Sequence, residues 1–158
     1  MRLAVLILLA TALVLPASPA RAGITGRPRI IDGDTLEIAG QRIHLFGIDA
    51  PEGRQRCTMS GKSWRCGQQA TFVLAEFIGK AWVRCNLKDR APHKPVVAVC
   101  YLGKKNINAW MVRNGWAVEY RSKGAYRTEQ MHAKRGRLGI WRGAFEMPWK
   151  WKPRGRLN

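Results

Sequence analysis

Two motifs decide the reading of this chain: Ile31-Asp32-Gly33-Asp34-Thr35 and, after a short alternating run, Gly47-Ile48-Asp49-Ala50-Pro51-Glu52. The interval from Ile31 to Glu52 holds five of the ten acidic residues in a protein whose formal net charge is +18. Carboxylates that only solubilise a surface would be scattered among the basic residues. Gathered in one interval, they suit a hard cation that takes oxygen ligands.

The intervening residues set the fold. The runs 27–31 and 35–38 are β-prone, and the Asp-Gly between them is a turn signal. Ala39-Gly40 is a second turn. Arg42-Ile43-His44-Leu45-Phe46 alternates, so Arg42 and His44 share one strand face while Ile43 and Leu45 share the other. These three strands make a meander whose turns and ends carry the acids.

Downstream, 53–65 is polar, glycine-containing and basic and reads as a loop. Residues 68–78 place Phe72, Leu74, Ala75, Phe77 and Ile78 at near-helical spacing before Gly79. Runs 82–87 and 96–101 are two further strands, joined by the basic loop 88–95. Helices are expected over 106–114 and over 128–138, the second capped by Thr128. The prediction is an α+β fold of five strands and three helices.

Residues 1–22 carry Arg2, an apolar run from Leu3 to Leu15 and the triplet Ala20-Arg21-Ala22, the pattern of a secretory signal peptide. A membrane anchor is the competing reading, but the run falls short of the ~20 apolar residues that cross a bilayer. Cleavage after Ala22 would leave 136 of the 158 residues as one domain, 23–143, with a Trp/Pro-rich basic tail, 144–158. The mature protein is expected in the periplasm or outside the cell, without a membrane span and as a monomer. Cys57, Cys66, Cys85 and Cys100 then read as disulfides; zinc lacks the usual ligand spacing. All three pairings are open to the sequence, and Cys57–Cys66 with Cys85–Cys100 is favoured because each closes a short loop.

A mature charge of +16 predicts affinity for polyanions rather than any fold. Trp149 and Trp151, interleaved with lysines, suit base stacking or a membrane surface, although covering an apolar edge of the domain is the favoured role.

Asp32-Gly33-Asp34-Thr35, Gly47-Ile48-Asp49-Ala50-Pro51-Glu52, the run Asn108-Ala109-Trp110-Met111-Val112-Arg113-Asn114-Gly115-Trp116-Ala117, and Gly139-Ile140-Trp141 together resemble the thermonuclease family founded on the staphylococcal nuclease. The resemblance implies a five-stranded OB-fold β-barrel with three helices. It also implies a calcium-dependent nuclease acting on phosphodiester bonds of DNA or RNA, single-stranded nucleic acid being the expected partner. Carried over by position, Asp34 and Asp49 would ligate Ca2+ with the carbonyl of Ala50. Glu52 would position or deprotonate the attacking water.

The sequence departs from the family at the two arginines that grip phosphate. His44 stands five residues before Asp49, and Pro95 stands at the second position, with Lys94 the neighbouring cation. Arginine is a fixed fork for phosphate oxygens, whereas lysine is a point charge and histidine is mostly neutral at pH 7. His44 and Lys94 are therefore candidate catalytic substitutes, and Arg42, Arg54 and Arg56 are candidate nucleic-acid contacts. The alternative to a nuclease of reduced activity is an inactive module that binds nucleic acid or another polyanion through its basic surface. A secreted accessory factor in envelope or polysaccharide assembly has no residue that argues for it.

Overall fold

The computed structural model describes residues 23–89 and 95–151. The expected signal peptide, Lys94 and the end of the tail lie outside these residues. The strands are β1 (Ile24–Gly26), β2 (Arg29–Ile30), β3 (Thr35–Ile38), β4 (Gln41–Leu45), β5 (Ile48–Asp49), β6 (Cys57–Met59), β7 (Lys62–Trp64), β8 (Val83–Asp89), β9 (Val96–Leu102), β10 (Lys105–Asn106) and β11 (Val118–Glu119). The described α-helices are α1 (Cys66–Ile78), α2 (Ile107–Arg113) and α3 (Arg127–Arg135). Single turns of 3-10 helix follow at Gly139–Arg142 and Pro148–Lys150.

The main sheet runs β1-β8-β9-β4-β3-β2, with β10 added to β9. Only β4 and β9 pair in parallel; the other described pairings are antiparallel. Its two outer strands, β1 and β2, are consecutive in sequence, so the sheet curls into a half-barrel. This is the α+β OB-type architecture expected from the sequence.

Alternation builds the core. Leu36 and Ile38 of β3, Ile43 and Leu45 of β4, and Val96, Ala98 and Cys100 of β9 point inward and are buried. From α1, Ala70, Leu74 and Ile78 supply a stripe at four-residue spacing; α2 adds Ile107, Met111 and Val112. Asn108 is buried among them. Its Oδ1 accepts from the amide of Cys100 at 3.0 Å, and its Nδ2 donates to the carbonyls of Phe46 at 2.9 Å and Ala98 at 3.2 Å. One amide side chain thereby fastens α2 to the end of β4 and to β9.

The favoured disulfides form. Cys85 and Cys100 are direct partners across β8 and β9. Cys57 bonds Cys66 at the start of α1.

Two expectations are corrected. Residues 57–64 are a hairpin, β6 and β7, rather than loop. Ser60 and Gly61 at its tip both have positive φ, 50° and 74°, the conformation of a tight primed turn. Its polar residues concealed the strands, because the disulfide and the bridge of Thr58 to Ala144 hold them in place of an apolar face. The second correction is at α3. The helix begins at Arg127, Tyr126 occupies the cap position without a side-chain bond, and Thr128 lies inside the helix.

Residues 144–151 run back over the hairpin. Phe145 and Met147 pack with Trp64 and Trp141 against Cys57, Cys66, Val118 and Ile140. Trp149 stacks on Tyr120, with centroids 4.8 Å apart and planes 16° apart. No helix among the described residues is long and apolar enough to cross a membrane.

Candidate metal and catalytic site

The turn 32–34 brings the first acids against the second motif. Ile31 and Asp32 donate their amides to the carbonyl of Thr35, and the amide of Asp34 donates to Asp32 Oδ1 at 3.2 Å. Gly33 permits the approach, since a Cβ there would lie 2.7 Å from the Cβ of Ala50. Asp34 is 6% exposed, and its Oδ2 accepts from the backbone amide of Ala50 at 2.8 Å. Its Oδ1 accepts from Thr35 Oγ1 at 2.9 Å. The structure thus places Asp34, Asp49 and the backbone of Ala50 side by side.

The electrostatics follow from this crowding. Burial, with the charges of Asp32 and Asp49 added, raises the Asp34 carboxyl well above its usual range. Burial and the nearby Glu52 push Asp49 up to about 6. Glu52 is raised by burial and then by Asp32, although its side chain reaches solvent. Among the described residues, Asp32, Asp34, Asp49 and Glu52 have no lysine or arginine within ion-pair distance, in a chain with 28 such residues. The fifth acid, Glu37, does find partners. Arg29 binds it through two nitrogens, the shorter contact 2.7 Å, and Arg42 lies opposite it in the ladder.

The oxygen donors fit a hard cation. Two carboxylates meet beside a backbone segment held in register, and a cation there would relieve mutual repulsion that the protein itself leaves unpaired. The donor set is sparse: among the described residues, no three His, Cys, Asp or Glu side chains converge as a metal cluster. Ligation would therefore rest on two side chains with backbone and solvent oxygens.

His44 sits across from Thr35 in the β3–β4 ladder. Its Nδ1 is 3.4 Å from both Thr35 Oγ1 and Asp34 Oδ1. Burial lowers its pKa, partly offset by the charge of Asp32, so at pH 7 it is a neutral imidazole rather than a cation. Arg42 lies opposite Glu37 in the ladder and makes no ion pair with the four acids among the described residues. Arg56 is tied to Ser63 through Nε at 2.8 Å and Nη2 at 3.2 Å. Arg54 is exposed and makes no hydrogen bond or ion pair with the described residues. Pro95 is exposed immediately before Val96, which pairs with Ile43.

Three residues escaped the sequence reading. Thr35, the last residue of the first acidic motif, is buried between Asp34 and His44. Lys88 extends its Nζ to 5.8 Å from the Phe46 ring centroid. Gln55 is fully buried. Its Oε1 accepts from the amide of Glu52 at 3.2 Å, its Nε2 donates to the carbonyl of Glu146 at 2.6 Å, and its own amide donates to the Glu52 carbonyl at 2.7 Å. Gly67 in the first turn of α1 lies so close to Glu52 that any Cβ would strike the Glu52 carbonyl. Glu52 is therefore set by a buried amide, the start of α1 and the adjacent Cys57–Cys66 bond.

Comparison with known proteins agrees with this architecture. The sequence model of the family described as "Staphylococcal nuclease homologue" matches residues 42–143. A succinoglycan biosynthesis protein, ExoI, of Rhizobium meliloti (strain 1021) is 36% identical over 139 residues, covering 85% of this chain and 73% of its own. A micrococcal nuclease of Shigella flexneri is 34% identical over 171 residues, with 95% and 93% covered. Protein ParB of Escherichia coli is 32% identical over 164 residues, with 90% and 87% covered. With the family match spanning more than half of its length on the expected fold, the chain belongs to the staphylococcal nuclease homologue family.

Proposed function

We propose that this protein is an exported, calcium-dependent nuclease that hydrolyses phosphodiester bonds of DNA or RNA, with activity reduced by the loss of both phosphate-gripping arginines. The observation that carries the reading is the group of four acids left without a lysine or arginine partner inside a strongly basic chain. Asp34 and Asp49, with the Ala50 carbonyl, would hold the ion, which when bound supplies positive charge for the phosphoryl oxygens. Glu52 is the candidate base: its raised pKa brings it toward the pH at which proton transfer is efficient, and Gln55 fixes its backbone. His44, neutral at pH 7, can donate or accept a hydrogen bond but brings no charge to the phosphate. The relative named micrococcal nuclease supports the substrate class, and the two disulfides support an oxidising compartment.

The test is cleavage of heat-denatured DNA with added calcium and with chelator, comparing the parent with Glu52→Gln. The parent should cut only with calcium. The variant should lose about 100-fold or more, the usual contribution of a general base. Cleavage by Glu52→Gln at the parent rate would remove Glu52 from the mechanism.

A second reading, a non-catalytic module that holds a polyanion, draws on the uncharged His44 and on a relative named for succinoglycan biosynthesis. It would be supported by binding that needs no calcium and falls steeply with salt, together with no cleavage at high protein concentration.

A further inference from the structure

Trp149 lies beyond the segment matched by the family, yet it is firmly held. Pro148 is buried, the amides of Lys150 and Trp151 return to the carbonyl of Met147 at 2.8 and 3.1 Å, and Met147 packs with Trp141 and Phe145. The indole is thus presented by an anchored turn. It stacks on Tyr120, while 41% of Trp149 remains exposed. Tyr120 follows β11, and its amide donates to the carbonyl of Gly47 at 3.0 Å. In the same ladder Val118 pairs with Asp49. The Tyr120 backbone consequently stands two residues, about 7 Å along the strand, from Val118, the ladder partner of Asp49.

Its surroundings are cationic. The Arg121 guanidinium lies 4.9 Å from the Tyr120 centroid, and Lys150 is exposed next to Trp149. A large aromatic surface held rigidly in water, bordered by cations and adjoining a phosphodiester site, matches the chemistry of a stacked base. It would be selective for unpaired bases, because a duplex hides their faces.

We propose that Trp149, backed by Tyr120, is a stacking platform for one base of a single-stranded nucleic acid whose phosphate would meet the cation held by Asp34 and Asp49. The platform rests on the nuclease reading above. It makes the tail part of the substrate site and gives the enzyme a preference for single strands.

Binding should be measured in chelator, so that nothing is cut, with fluorescent oligothymidylate and an abasic oligonucleotide of equal length and charge. Trp149→Ala should weaken oligothymidylate binding roughly 5- to 100-fold, Trp149→Phe should stay close to the parent, and the abasic strand should bind all three alike. Equal weakening on both strands would assign the loss to charge or folding and overturn the platform, as would no change on either. Loss of binding to phosphatidylglycerol vesicles with oligonucleotide binding intact would assign the indole to a lipid surface instead. A parent protein that binds neither oligonucleotide would overturn the platform, whereas failure to cleave denatured DNA with calcium would overturn the nuclease reading. A parent that binds both and is indifferent to Trp149→Ala would overturn the platform alone.

Discussion

Replacing Asp49 with asparagine should stabilise the calcium-free protein at neutral pH, although the residue belongs to the candidate site. Its carboxyl titrates at about 6 in the fold against 3.8 for the ordinary side chain. The folded state therefore binds more protons than the unfolded state between those values, and stability must fall as pH rises through the window. Below 3.8 the penalty is absent; above 6 it is complete. Two pKa units correspond to about 3 kcal/mol, which partial exposure of the side chain reduces to roughly 1–2 kcal/mol. Asparagine keeps the shape and an acceptor oxygen but carries no charge. In urea unfolding with chelator, Asp49→Asn should gain that amount over the parent at pH 7.5, and the gain should shrink toward pH 4. Added calcium should reverse the order, raising the parent's midpoint and leaving the variant's almost unchanged. A variant less stable than the parent at pH 7.5 in chelator, or a gain independent of pH, would refute the claim that a buried, uncompensated charge is held at Asp49.

Two further substitutions probe the frame around the acids. His44→Arg should restore a fixed cation next to Asp34 and raise calcium-dependent cleavage at pH 8 by up to about 100-fold, within the range of one transition-state donor; a folded variant no faster than its parent would remove position 44 from phosphate binding. Asn108→Ala should cost about 2–5 kcal/mol in urea unfolding, because the Cys100 amide and the Phe46 carbonyl lose their partner in the core; a cost under 1 kcal/mol would mean that water replaces the amide.

Much of the fold was legible because period and position agree. The strands around Leu36, Ile43 and Ala98 alternate cleanly, the α1 stripe repeats every four residues, and Cys85 and Cys100 are loop neighbours that prove to be register partners. The acids were legible as a charge anomaly. What escaped depends on contacts distant in sequence or on burial. The outward residues of the hairpin 57–64 have no apolar alternation to read. Gln55 acquires its role from Glu146, 91 residues away. The strands β5 and β11 are two residues each, and only their pairing places Tyr120 near Asp49. His44 reads as a possible cation until its burial is known.

These misses share a cause that bears on how the site works. With no lysine or arginine among the described residues to neutralise them, Asp34, Asp49 and Glu52 would be available to an external ion. Burial lowers the pKa of His44, so this neighbour of Asp34 supplies little of the charge that phosphate requires at pH 7. Positive charge must then reach the substrate from outside the acidic pocket. Lys88 over Phe46, and Arg121 with Lys150 around the Tyr120–Trp149 stack, stand where they could provide it. An arginine that grips a transferring phosphoryl group favours the transition state, whereas peripheral cations and a stacked base bind substrate and transition state alike. A site built this way should bind single strands well and turn over slowly, with KM low and kcat low together. That pairing separates it from a site that has simply decayed, in which binding would weaken as well.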